Sequence, residues 1–447
     1  MKSLLIIQGV IDMSIFKIAE SNVRSYCRSF PDVFCKAKGS LLYSENGKEY
    51  VDFFAGAGAL NYGHNNDFIK EKVINYIESD SIMHGLDMYT TAKREFMETF
   101  VYKILHPRDL NYKMQFCGPT GTNAVEAALK LSRKVKKRTN VFAFMGGFHG
   151  MSLGSLSATG DLGKRQSGGI PLSNVTFMPY PYGFMNTFDS IEYIEAILND
   201  DHCGIDKPAA IIFETVQAEG GIVVASVEWM QRLQRLCIKH DILLVCDDIQ
   251  VGCGRTGAFF SFERAGIVPD IVLLSKSISG YGLPMSLLLV KPEYDVWEPG
   301  EHNGTFRGNQ LAFVGASAAI EYREQSGLEY KTKQNEEFIK KYLLEEIAPL
   351  SELIKVRGIG MIWGIDFSDC GKSNFARELV QMCSEDGLII ESSGRNGNVL
   401  KILPPLNIEE ELLERGLSIM KQNIMKGLER NKVKNMVYNP LILAGGK

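Results

Sequence analysis

Apolar runs recur through the middle of the chain, and each gives way to a glycine-rich or polar turn: NVFAFMGGFHG, PAAIIFETVQAEGG, DILLVCDDIQVG and PDIVLLSKSISGYG. Short, nearly continuous runs of this kind suit strands covered on both faces. Between the second and third, VEWMQRLQRLCIKH carries the helical period, as does NAVEAALKLSRKVKKR from about Asn123 to Arg138. The stretch GKEYVDFFAGAGALNYGHNN reads as a strand followed by a glycine-rich irregular loop. Apolar runs alternating with helical segments predict βαβ units, and so an α/β fold with a mostly parallel sheet. After about Asn335 the texture changes to charged helices and a shorter apolar run, GMIWGIDF, which predicts a smaller C-terminal α/β domain.

In parallel sheets, ligands bind beyond the carboxyl ends of the strands. Three polar residues follow apolar runs there: Glu214, Asp247 and Lys276. A buried strand ending in Asp247-Asp248 is costly unless a positive group faces the carboxylate. Lys276, alone, reads as a strand-end lysine pointing into water. With Asp247 ending another strand of the same sheet, a second reading opens. A lysine that forms a Schiff base and an aspartate that holds a protonated pyridine nitrogen are the two protein groups pyridoxal phosphate needs. The same cofactor needs a phosphate cradle, and CGPTGTNAVEAALK leads Thr120, Gly121 and Thr122 straight into a helix N-terminus. Thr122 or Asn123 would serve equally as an ordinary helix N-cap. The P-loop pattern GxxxxGK[ST] is absent, which removes a nucleotide-hydrolysing reading of the acidic strand.

Composition narrows the choice. The 447 residues are 45% hydrophobic and 23% charged, as in an ordinary globular enzyme. With 49 basic against 53 acidic residues, the chain lacks a nucleic-acid footprint. It has no apolar run long enough for a membrane span. The N-terminal MKSLLIIQGVIDM reads as a short extension, with Met13 as an alternative start. Nine cysteines without a CxxC pair suit reduced thiols in the cytoplasm. Seven histidines without zinc spacing predict no metal site.

The segments GPTGTNAVEAALKLSRK, GGFHG, ETVQAEGG, CDDIQVGCGRTG, SKSISGYGLP and HNGTFRGNQLAF together resemble the successive motifs of class III, fold-type I pyridoxal-phosphate aminotransferases. The detail is most similar to the diaminobutyrate–2-oxoglutarate aminotransferases, the group that includes the ectoine-pathway enzyme. The resemblance runs from about Glu20 to about Asn423. It implies a large domain with a seven-stranded, mostly parallel sheet, and a smaller α/β domain built from N- and C-terminal segments. The expected division is an N-terminal extension (1–15), the N-terminal part of the small domain (16–75), the large cofactor-binding domain (76–335), the C-terminal small domain (336–430) and a tail (431–447).

The resemblance also implies roles. Lys276 would hold pyridoxal 5'-phosphate covalently and then act as proton shuttle, while Asp247 pairs with the pyridine nitrogen. Gln250 would lie near the ring's phenolic oxygen, Phe148 would stack on the ring beside His149, and Glu214 would border the same site. Thr120, Gly121 and Thr122 would hold the phosphate. Thr305 would reach the phosphate of a neighbouring subunit, implying a homodimer or tetramer with shared sites. Glu219, in the QAEGG loop, would mask a cation that otherwise binds the 2-oxoglutarate carboxylate. Many relatives carry arginine for that purpose just before PPL, where this chain has Lys401. A lysine lacks the planar bidentate grip of arginine. Arg395, six residues upstream, is the alternative. The implied reaction is 4-aminotransfer between L-2,4-diaminobutyrate and 2-oxoglutarate, giving aspartate 4-semialdehyde and glutamate. Ornithine, 4-aminobutyrate or acetylornithine as donor, or an aminomutase needing no 2-oxoglutarate, are the alternatives. Asp248 is expected on the opposite face from Asp247, in a capping or salt-link role.

Overall fold

A computed structural model describes residues 15–181, 187–370 and 374–437. The expected N-terminal extension therefore lies almost wholly outside the described residues, as do the last ten residues of the expected tail. Three short strands, β1 (Phe34–Lys38), β2 (Leu41–Ser44) and β3 (Glu49–Asp52), open the fold as an antiparallel meander. The central sheet is built from β4 (Lys113–Phe116), β5 (Val141–Phe144), β6 (Val175–Met178) and β7 (Ala210–Phe213). After a ribbon of β8 (Val216–Gln217) and β9 (Val223–Val224), it continues with β10 (Leu243–Asp247), β11 (Ile271–Leu274) and β12 (Leu287–Val290).

Its order is β4-β12-β11-β10-β7-β5-β6. Only β12 runs against its neighbours, so the sheet is mostly parallel, as the alternating pattern predicts. Every residue of β5, β7, β10, β11 and β12 is buried, which is why these segments read as unbroken apolar runs.

Helices cover both faces. Helix α1 spans Gly121–Lys136, two residues earlier than its apolar pattern alone suggests, and its N-cap is Thr120 rather than Thr122 or Asn123. Residues Val125, Ala128 and Leu131 of α1 pack with Val245, Ile271 and Leu273 of the sheet. On the other face, α2 (Val227–Lys239) packs Trp229, Leu233 and Leu236 against Phe144, Phe213 and Leu244. Ser226 caps α2 by accepting the Trp229 N–H at 3.1 Å, a contact worth about 1 kcal/mol.

The C-terminal segment adds β13 (Lys355–Ile359), β14 (Ile362–Asp366), β15 (Leu388–Ile389), β16 (Glu391–Ser393) and β17 (Val399–Ile402). β15 pairs in parallel with β3, so the two ends of the chain share one sheet. The order β13-β14-β17-β16 forms a separate antiparallel sheet. A common core containing Phe53, Trp363, Leu388, Leu413 and Ile424 joins these parts. The final helix, α3 (Glu410–Val437), runs past residue 430 into the segment expected to be a tail. Among the described residues no helix is long and apolar enough to cross a membrane.

Candidate active site

β10 ends at Asp247 and β11 at Leu274, and the two strands are neighbours in parallel register. Asp247 and Lys276 thus leave the sheet side by side at its carboxyl edge. They line one cavity of about 160 Å³ together with Gly121, Thr122 and Glu219. Phe148, His149, Glu214 and Gln250 complete nine of the thirteen expected site residues in that cavity.

Lys276 sits at φ 51°, a left-handed conformation that a lysine adopts only under constraint from its surroundings. Ser275 before it is extended, and a short 3-10 turn, Lys276–Ser279, follows. Ser275 Oγ donates to Met285 O at 2.7 Å, and Ser277 Oγ donates to Gly58 O at 2.6 Å, so both neighbours are fixed. Burial pushes the Lys276 amine below the ordinary lysine range, against the opposing pull of Glu219. A buried amine with a lowered pKa is the form that attacks carbonyls.

Asp247 does not stand alone. Its Oδ2 lies 2.7 Å from His149 Nδ1, and its Oδ1 accepts the Ile249 N–H at 3.2 Å. His149 therefore holds the aspartate carboxylate in one orientation. Glu214 Oε2 accepts the Phe148 N–H at 3.1 Å and so holds the loop that carries the aromatic ring. Burial, and then the charge of Asp247, push the Glu214 carboxyl well above the ordinary carboxylate range. Protonated, it avoids placing a second anion beside Asp247.

At the N-terminus of α1, Thr120 N–H and Oγ both donate to Asn123 Oδ1, at 3.3 and 2.9 Å. The cap is thus closed by Thr120 itself, which does not line the cavity. Gly121 opens the helix there, where a Cβ would come within 3.0 Å of Ile249 Cδ1. Gly150, at φ 131°, lets the FHG loop press on Thr122, whose Oγ would be 2.4 Å from a Cβ at that position. The Thr122 hydroxyl pairs with Ser152 and Ser155 and extends the hydroxyl lining beyond the expected threonines.

Gln250 donates from Nε2 to Ala57 O at 3.0 Å, tying the N-terminal glycine-rich loop to the cavity, while its buried Oε1 has no hydrogen-bond partner among the described residues. Helix-terminal N–H groups, a lysine, a hydrogen-bonded carboxylate, an aromatic wall and an unsatisfied amide acceptor together fit pyridoxal phosphate chemically.

Four expected residues lie outside the cavity. Thr120 is the cap. Thr305 lines a separate surface hollow with Met83, Pro119 and Phe306. Arg395 is exposed, with Nη2 lying 3.6 Å from where a Gly146 Cβ would be. Lys401 is fully buried behind Glu219, to which it donates at 2.7 Å, and it also meets Glu391 Oε1 at 2.5 Å. Burial opposes ionisation of Glu219, but Lys401 and Lys276 outweigh it and bring that carboxyl down to about 2. Glu391 and His149's contact with Asp247 were not anticipated in these roles. The one available signal for Glu391 was an acid embedded in the apolar stretch GLIIESSG.

The sequence matches the aminotransferase class-III family model over residues 26–424. The chain belongs to the class-III aminotransferases. A diaminobutyrate–2-oxoglutarate transaminase of Streptomyces coelicolor is 53% identical to this class-III chain, over 92% of it and 97% of the relative. The protein of that name from Halalkalibacterium halodurans is 50% identical, over 94% and 98%. In fold, the chain is similar to the ornithine aminotransferase of Toxoplasma gondii, with a TM-score of 0.81, 23% identity and coverage of 95% and 96%.

Proposed function

We propose that this aminotransferase uses pyridoxal phosphate to move the 4-amino group of L-2,4-diaminobutyrate to 2-oxoglutarate, giving aspartate 4-semialdehyde and glutamate. The observation that carries the reading is likeness over more than nine-tenths of the chain to relatives bearing that activity in their names. The convergence of Lys276, Asp247 and the helix N-terminus on one cavity supports the same cofactor. When bound, pyridoxal phosphate supplies a carbonyl that condenses with amines and an electron-withdrawing ring. Lys276 Nζ would hold it covalently, and the same amine would be placed to move the proton of the substrate carbon bearing the amine. The Asp247 carboxylate, held by His149, would supply the negative charge that the ring nitrogen needs. Phe148 would wall the ring, and Gly121 and Thr122, at the helix N-terminus, would hold the phosphate.

A donor screen with purified holoenzyme and 2-oxoglutarate tests the substrate. Diaminobutyrate is expected to exceed ornithine, 4-aminobutyrate and acetylornithine in kcat/KM by at least about tenfold, the scale set by one methylene in a fitted pocket. Activity with ornithine and none with diaminobutyrate would sink the donor assignment, and turnover without any 2-oxoglutarate would instead indicate an aminomutase.

Self-association belongs to the same reading. Tyr89 is 100% exposed and Phe306 69%, and Ile82, Met83, Leu86 and Met88 are each about half exposed. Exposed apolar residues concentrated beside Thr305 fit an interface with a second copy. Light scattering is expected to report at least twice the chain mass of 49.8 kDa, and a monomer at micromolar concentration would contradict it. Nine unpaired cysteines support a reducing, cytoplasmic location.

A further inference from the structure

The cation behind the cavity is shared by two acids, one carried on a strand and one on a loop. Glu391 on β16 stands directly opposite Lys401 on β17 in an antiparallel register, and β14 locks β17 from its other side through Gly364. Its carboxylate therefore meets Lys401 from a fixed backbone, with both side chains buried. Glu219 reaches the same ammonium from a loop, followed by Gly220 and by Gly221 at φ 107°. The Glu219 side chain is 30% exposed and borders the cavity. Tyr26, from the N-terminal segment, adjoins the cluster: burial, then Glu391 and Glu219, push its hydroxyl up to about 12.

Stripping a buried ammonium of its last counter-ion is strongly unfavourable. Were Glu219 the only partner of Lys401, turning it toward a substrate would leave that ammonium bare. Glu391 removes the penalty, because it remains in place when Glu219 moves. Lys401 itself faces two carboxylates, so its charge is already matched toward an incoming anion, while Glu219 also feels Lys276 across the cavity wall. Building on the proposed reaction, we infer that Glu391 is a positioning residue: it is the standing counter-ion of Lys401, and it frees Glu219 to receive the non-transferred ammonium of a diamino acid. Selectivity for a donor with a second cationic group is then set by this carboxylate pair, and Lys401 is a weaker receptor for the carboxylate of 2-oxoglutarate than an unpaired cation would be.

The two half-reactions, followed separately by the absorbance of the bound cofactor in the holoenzyme, test this. Glu391→Gln keeps the shape and removes the charge. The ratio of KM for diaminobutyrate to KM for 2-oxoglutarate is expected to rise at least about tenfold, equivalent to 1.4 kcal/mol of differential binding. A purely structural defect would move both constants together, and an unchanged ratio or a parallel change in both overturns the inference. If Glu391→Gln does not fold, Glu391→Asp supplies the measurement, since it retreats from Lys401 by one methylene; a shift of the ratio in the same direction supports the assignment, and no shift refutes it. Wild-type enzyme that ignores diaminobutyrate overturns the reaction and this inference together. Wild-type enzyme that accepts it, with a ratio indifferent to Glu391, overturns this inference alone.

Discussion

Lys276→Ala is expected to lose at least about 10³-fold in turnover, because one side chain supplies both covalent attachment and proton transfer. The visible absorbance that reports the covalent link should disappear, whether or not cofactor still binds. The expectation rests on placement. Lys276 leaves the carboxyl edge of the sheet beside Asp247, in a left-handed conformation held by hydrogen bonds from Ser275 and Ser277. Burial lowers its pKa below the ordinary lysine range, which favours the uncharged, nucleophilic amine. Within the cavity, no other lysine lines the wall among the described residues, so no neighbour is placed to take over. A purified, folded Lys276→Ala protein that keeps both absorbance and turnover would refute the assignment.

The second large effect separates two adjacent acids. Asp247→Asn is expected to cost about 10²–10³-fold in kcat, the scale of losing a preorganised electrostatic partner. An amide in that position keeps the shape and a contact to His149, but offers no negative charge to the ring nitrogen. Asp248→Asn should leave catalysis far less affected and act on stability. Asp248 does not line the cavity. It accepts hydrogen bonds from the Ser261 N–H, at 3.1 Å, and from the Ser261 hydroxyl, in a fully buried setting.

Burial lifts the Asp248 carboxyl to about 7, although the Ser261 bonds pull the other way. A folded pKa above the unfolded value of about 3.9 means the unfolded chain gives up the proton first. The contribution of Asp248 to stability is therefore complete below about pH 4 and declines as pH rises through about 7. Asparagine removes that slope. Denaturation midpoints measured across this window should show a steeper decline with pH for the wild type than for Asp248→Asn. Equal catalytic losses in two folded variants, or identical pH slopes, would contradict the separation.

How much of this was legible beforehand differs by kind of feature. Strand ends are legible because a strand covered on both faces must be apolar until it leaves the sheet, so Glu214 and Asp247 stand out as the first polar residues after buried runs, and Lys276 as the first charged one, one residue beyond Ser275. The apolar pattern places the start of α1 two residues late, because Gly121 and Thr122 carry no apolar signal and the cap is made by Thr120 with Asn123. Lys401 stands where many relatives carry arginine, yet nothing local in the sequence indicates that it is buried between two acids.

By itself the sequence determined the α/β class, the mostly parallel sheet, the edge of that sheet where ligands bind, and the lysine and aspartate that line it. Each follows from periodicity and from the cost of burying polar groups, which act over a few neighbouring residues. Tertiary structure alone decided which charges meet. His149 reaches Asp247 across 98 positions, and Lys401 reaches Glu219 across 182. Glu391 faces Lys401 only through the register of β16 on β17. Strand order and register are set by the packing of the whole core, and no local pattern encodes which acid will stand opposite which base.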